Sequence, residues 1–187
     1  MDATTICDII TPVITIIGFV ISYRMITKQK ELAVQQQKNE WQREKLASIY
    51  EDILDMIEEI QLTVANLNID TKKYHEREKR INNTIICYGT KNVVKIWNHY
   101  KFITYKCQDD KIELDVMQVM ASLVLLVMQI KYDITDIKTP AKVLYVGFTT
   151  EKLKKTGFYS GSMEEVSKIV KLLHLPSFLK CKDKNIK

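Results

Sequence analysis

The stretch 112-IELDVMQVMASLVLLVMQIK-131 decides how this chain folds. Between Asp115 and Lys131 it carries no charge, and its strongest run, Val119 to Met128, is ten residues long with a single hydroxyl at Ser122. As a helix rising 1.5 Å per residue, the segment between those two charges is roughly 22 Å long, short of the about 30 Å hydrocarbon core of a bilayer. It therefore reads as the central helix of a bundle, buried on several sides, rather than as a membrane span. Such a helix requires amphipathic neighbours to cover it, and the flanking sequence supplies them.

Upstream, Leu46, Ile49, Ile53, Met56, Ile57, Ile60, Val64 and Leu67 recur at steps of three and four and form one helical stripe. The other face carries Glu51, Asp52, Asp55, Glu58 and Glu59 and is expected to be solvated. Its nearest electrostatic complement is the basic run Lys72, Lys73, Arg77, Lys79 and Arg80 at the start of the next helix. Asp70 is placed to cap that helix, which runs toward Tyr88 and is expected to stop at a left-handed Gly89. Thr90 then caps a further helix in which Val93, Val94, Ile96, Trp97, Tyr100, Phe102, Ile103 and Tyr105 predict a broad apolar and aromatic face. Lys95, Lys101 and Lys106 are interleaved with it, a pattern that also serves base stacking. Aromatic residues at this helical spacing read first as core.

Downstream, Pro140 marks the end of the unit, and residues 143–148 fit either a short strand or a helical turn. A capping box from Ser162 to Glu165 predicts the start of a last helix through Leu173, closed by Pro176. Lys180, Lys182, Lys184 and Lys187 against Asp183 then make a +3 tail. Only 5 Gly and 3 Pro are available to punctuate a many-stranded fold. The expected class is all-α, with an antiparallel four-helix-type bundle over residues 46–136 and a small C-terminal helical subregion over residues 137–187.

The N-terminal end is different in kind. Ile9 to Tyr23 is uncharged over fifteen residues, and twenty-one residues are available if the run is extended back to Ala3 across Asp8. These lengths correspond to roughly 22 and 31 Å of helix, so the segment spans a bilayer when Asp8 sits at an interface and Arg24 snorkels. A secretory signal needs positive charge before its apolar region, whereas here Asp2 and Asp8 precede it and Arg24, Lys28, Lys30, Lys38, Arg43 and Lys45 follow. The expected arrangement is a single-pass transmembrane anchor over residues 1–26, with the N-terminus outside and a cytoplasmic body. Residues 27–45 would be a polar helical stalk. A buried first helix of a soluble bundle is the competing reading.

No composition or spacing points to catalysis. Cys7, Cys87, Cys107 and Cys181 lie 80, 20 and 74 residues apart, His75, His99 and His174 are scattered, and no phosphate loop or nucleophile elbow is present. Neither a catalytic residue, a cofactor nor a metal site is predicted, and the chain is not expected to be an enzyme. The net charge of +5 is mild for a dedicated nucleic-acid groove.

Two motifs carry a family resemblance. Tyr88-Gly89-Thr90 is followed by Val93, Val94 and Trp97, and a second run reads Ile130-Lys131-Tyr132-Asp133-Ile134-Thr135. These resemble a widespread group of uncharacterised bacterial single-pass membrane proteins with a helical cytoplasmic body. That group shows Tyr-Gly-Ser, two aliphatics and an aromatic at the first spacing, and aliphatic-Arg-Lys-Asp-aliphatic-Gly at the second. Here Tyr132 stands in place of a basic residue and Thr135 in place of the glycine. The likeness covers residues 45–136 and the anchor, and it implies the same architecture without bringing an activity. Asp133 near a helix C-terminus is unfavourable unless paired, so a salt bridge to Lys131 or to a basic residue of another helix is expected. Trp97, Lys131 and Asp133 form the candidate interaction surface. The expected function is a membrane-anchored interaction module that presents its bundle to a protein partner or to another copy of itself, a class compatible with a phage or phage-defence setting. The expected partners are the lipid bilayer and a protein, with a membrane-tethered nucleic-acid binder as the alternative.

Overall fold

A computed structural model describes the backbone of residues 3–64, 71–110, 115–148 and 157–180. The side chains of residues 1–18 and of Val20 lie outside the described residues, as do Leu67, Asp70 and the tail beyond Lys180. Every regular element among the described residues is helical: α1 (Ala3–Ser48), α2 (Tyr50–Val64), α3 (Thr71–Tyr88), α4 (Lys91–Asp110), α5 (Val116–Thr135), α6 (Ala141–Phe148) and α7 (Phe158–Leu172), followed by a 3-10 turn at Ser177–Leu179. The chain divides into two compact units, Met1–Trp41 and Gln42–Lys187.

In the second unit α5 packs against α2, α4, α6 and α7. Every residue from Val119 to Ile130 is buried, so the uninterrupted apolar run follows from the helix being covered on all sides. Each fully buried Val, Leu or Ile side chain contributes about 1.5–3 kcal/mol. Asp115 opens α5 by accepting from the amides of Met117 and Gln118, and Ser122 donates to the Gln118 carbonyl at 2.8 Å. By length and composition this is the one helix among the described residues able to cross a membrane, yet 67% of its most apolar window is buried within the protein.

The stripe that begins at Leu46 crosses from α1 into α2. The two helices meet at Ile49, where the Ser48 hydroxyl donates to the Lys45 carbonyl, and Leu46, Ile49, Ile53, Met56, Ile57 and Ile60 are all buried. In α4, Val93, Ile96, Trp97, Tyr100 and Ile103 are buried, but Phe102 and Tyr105 are exposed, so the apolar face is narrower than expected. Gly89 does end α3, but without the expected left-handed conformation. A β-carbon there would stand 2.5 Å from the Ile85 carbonyl oxygen, so a close approach is what requires glycine.

The C-terminal segment also departs from its expected boundaries. Residues 143–148 belong to helix α6, which follows Pro140, a residue suited to a first helical turn. The last helix starts at Phe158, after a left-handed Gly157, rather than at Ser162. Ser162 is buried inside α7, beside a Gly161 whose added β-carbon would collide with the Met117 sulfur, so close packing on α5 overrides the capping-box pattern. The helix ends with His174 left-handed and with the amides of His174 and Leu175 returned to the carbonyls of Lys171 and Val170. Leu175 and Leu179 then bury themselves in the bundle.

In the first unit α1 is helical from Ala3. Phe19, Ile21, Tyr23, Met25 and Ile26 are exposed, each with at least half of its surface uncovered.

Candidate functional site

The two motif segments, 43 residues apart in sequence at their closest bond, meet in space. Thr90, at the start of α4, donates its hydroxyl to Asp133 Oδ2 at 2.7 Å, and Gln129 Nε2 donates to Asp133 Oδ1 at 2.7 Å. The same Thr90 oxygen faces the Val93 amide at 3.5 Å, in the geometry of an N-cap. The last turns of α1 reach this corner as well. Gln42 donates to the Tyr88 carbonyl at 2.6 Å, and Arg43 pairs with Asp136, the left-handed residue that ends α5, at 3.2 Å.

The expected pairing of Asp133 with Lys131 is not found, and Lys131 makes no ion pair among the described residues. Residues two apart on a helix point to different sides, whereas Gln129, four residues back, lies directly along the same face. The Asp133 carboxyl is thus held by two neutral donors at the negative end of a helix. Burial pushes its pKa above the usual carboxylate range, the bonds from Thr90 and Gln129 oppose that shift, and the nearby Asp136 adds to it.

Trp97, the third candidate, is buried and cannot present its ring to a partner. It stacks on Tyr100 with ring centres 4.8 Å apart and donates from Nε1 to Asn82 Oδ1 at 2.9 Å. Tyr100 shares a 2.6 Å hydrogen bond with Tyr74, and burial raises the pKa of both phenols, keeping them protonated. Trp97 therefore fastens α4 to α3, and its place in the helical spacing reflects packing. Lys131 and Asp133 are both half-buried.

A second polar cluster joins α2 to α3. Arg77 is buried and reaches Glu59 at 2.7 Å and Asp55 at 3.3 Å, while Arg80 grips both oxygens of the buried Asp52. The acidic face expected to be solvated is therefore partly an interface. Its spacing held the signal, because Asp52, Asp55 and Glu59 lie along one side of α2 and Arg77 and Arg80 along the antiparallel side of α3. Lys95 Nζ donates to the Leu173 carbonyl at 3.0 Å, a cation at the negative end of α7. His99 is half-buried, and burial lowers its pKa.

Among the described residues no cluster of three or more His, Cys, Asp or Glu side chains is arranged to hold a metal, and Cys87 is a free, exposed thiol. The arrangement around Asp133 can accept and release a proton and presents charged groups at a surface corner. No family model, no curated protein and no solved structure matches this chain.

Proposed function

We propose that this protein is a membrane-anchored helical interaction module, with residues 1–26 in the bilayer and the helical body in the cytoplasm, where it contacts a protein partner or a second copy. The observation that carries this reading is the contrast within one chain between a body that closes its own core and a first helix that leaves Phe19, Ile21, Tyr23, Met25 and Ile26 exposed. Exposed apolar residues interrupted by Arg24 and followed by Lys28 and Lys30 suit a helix leaving a bilayer on the positively charged side. The family resemblance supports the same architecture. The corner carrying Arg43, Lys131, Asp133 and Asp136 is the candidate contact surface, with Trp97 removed from it by its burial.

A tethered nucleic-acid binder is the weaker reading, because Arg77 and Arg80, two of the cations it would use, are engaged by Asp52, Asp55 and Glu59. The test is extraction of the full chain, tagged at its C-terminus, with alkaline carbonate. Retention in the pellet, followed by crosslinking to a protein from Lys131→Cys, is the expected result. Release into the supernatant would overturn the anchor.

A further inference from the structure

Residues 71–106, which hold α3 and most of α4, carry nine Lys and Arg against two Glu, a net +7 in a chain whose total is +5. Arg77 and Arg80 are taken up by Asp52, Asp55 and Glu59 of α2, which leaves the lysines. The positive charge is therefore concentrated on one helical hairpin, where it raises the local concentration of anions. On α4, Lys91, Lys95, Asn98, Phe102 and Tyr105 recur at steps of four and three and form one stripe, and no acidic residue lies between Lys91 and Lys106. Lys91, Asn98, Phe102, Tyr105 and Lys106 are all exposed.

Two aromatic rings stand open on this stripe, Phe102 at 63% and Tyr105 at 47% exposure, while Tyr100 and Ile103 beside them are buried in the core. Lysines flank both rings: Lys101 Nζ lies 4.5 Å from the centre of the Tyr105 ring, and Lys106 Nζ lies 5.9 Å from that of Phe102. On the neighbouring helix, Lys79 is exposed one turn before Asn82, the residue that Trp97 of α4 reaches. From Lys91 to Tyr105 the stripe is about 21 Å long, the length of about six stacked nucleotides at about 3.4 Å each. Exposed rings between cations supply both surfaces that a single strand uses, flat faces for its bases and positive charge for its backbone. A helical protein partner would instead need apolar anchors along the rest of the stripe, where Lys91, Lys95 and Asn98 stand.

We infer that the outer face of α4, with Lys79 of α3 beside it, binds single-stranded nucleic acid, the bases stacking on Phe102 and Tyr105 and the phosphates meeting Lys79, Lys91 and Lys106. Lys101 has a different part: its side chain is only 20% exposed and pairs with Glu78 at 3.4 Å, so it holds the Tyr105 ring in place. The surface uses neither Arg77 nor Arg80, whose engagement by α2 weakens the case for the basic start of α3. It also lies apart from the corner of Arg43 and Asp136, and it depends neither on that contact nor on the membrane anchor.

The test is fluorescence anisotropy of a labelled oligothymidylate titrated with the full chain in a zwitterionic detergent at several salt concentrations. The expected result is saturable binding that weakens as salt rises. Phe102→Ala should weaken it about 5- to 100-fold, the range for loss of one base stack. Phe102→Tyr should retain the affinity, whereas Phe102→Leu, apolar but without a ring, should not. Lys106→Gln should reduce the slope of log affinity against log salt by about 0.7. These side chains are exposed, so the urea midpoint of each variant should match that of the natural chain. Lys168→Gln, which removes the same charge from α7, should leave affinity unchanged. No binding at low salt, full affinity in Phe102→Leu, or equal losses in Lys106→Gln and Lys168→Gln would each overturn the proposal. Capture of phosphatidylglycerol vesicles without oligothymidylate binding would overturn it as well and assign the face to lipid.

Discussion

The α2–α3 interface and the α4–α5 corner both take carboxylates partly out of water, and they do so in opposite ways. Between α2 and α3, Asp52, Asp55 and Glu59 meet Arg77 and Arg80, so charge is offset by charge. At the corner, Asp133 meets Thr90 and Gln129, so charge is offset only by neutral dipoles. The first arrangement is costly to break on one side, because the remaining ion stays buried without a partner. The second leaves the carboxyl with a pKa raised above the usual carboxylate range by burial. The comparison teaches that the two polar seams of this bundle offset their carboxylates by different means, one by opposite charge and the other by neutral donors.

The largest expected effect lies in the charged seam. Arg77→Ala removes the buried guanidinium that pairs with Glu59 and Asp55 and should destabilise the body by about 1–3 kcal/mol, read from urea unfolding. A loss below about 1 kcal/mol would mean that water reaches the seam and that the contrast drawn above is false. Arg77→Met separates packing from charge, and it should recover little of that loss because the carboxylates remain.

At the corner, Asp133→Ala should cost about 1–3 kcal/mol, since it strands the Thr90 hydroxyl and the Gln129 amide without burying a charge. Both measurements in one titration series test whether the ranking holds. If Asp133→Ala proves the more damaging, the corner is the principal fastening of the bundle and the neutral donors count for more than the arginines.

A smaller effect separates the seams by pH. The folded-state pKa of Asp133 is raised above its unfolded value, so its contribution to stability is fully present below the ordinary carboxylate range and is lost as the pH rises through the raised value. Stability of Asp133→Asn relative to the natural chain should therefore improve as the pH climbs through that window, measured by denaturant midpoints at several pH values. A flat difference would show that Asp133 titrates alike in the folded and unfolded states.

The smallest effect belongs to the exposed half of α1. Ile21→Ser removes apolar surface that nothing in the described residues covers, so the unfolding of the body should change by less than about 0.5 kcal/mol. Its effect should show instead in weaker retention of the full chain by membranes. A marked fall in the stability of the body would mean that α1 belongs to the core.

Much of the architecture was legible from spacing. The steps of three and four from Leu46 to Ile60 became buried positions without exception, and the span from Asp115 to Lys131 was read as a core helix on length alone. The candidate site was legible in part. Asp133 lies at a corner shared by three segments, whereas Trp97 is buried between α3 and α4, because an aromatic ring at a helical spacing fits a core as well as a surface. Local signals failed where a neighbour overrode them. Ser162 and Glu165 match a capping box, yet the close approach of Gly161 to Met117 draws α7 onward by a turn at its start. Gly89 suited a left-handed cap, yet crowding by the Ile85 carbonyl is what it relieves.

The sequence by itself determined the class of the fold, the identity of its central helix and the register of the apolar stripe, because helical periodicity and the burial of apolar side chains depend on positions a few residues apart. The pairing of Thr90 with Asp133, of Arg77 with Glu59 and of Gln42 with the Tyr88 carbonyl was decided only by the tertiary structure. These partners lie 43, 18 and 46 residues apart. A polar side chain carries no local mark of which donor will reach it once the helices have packed.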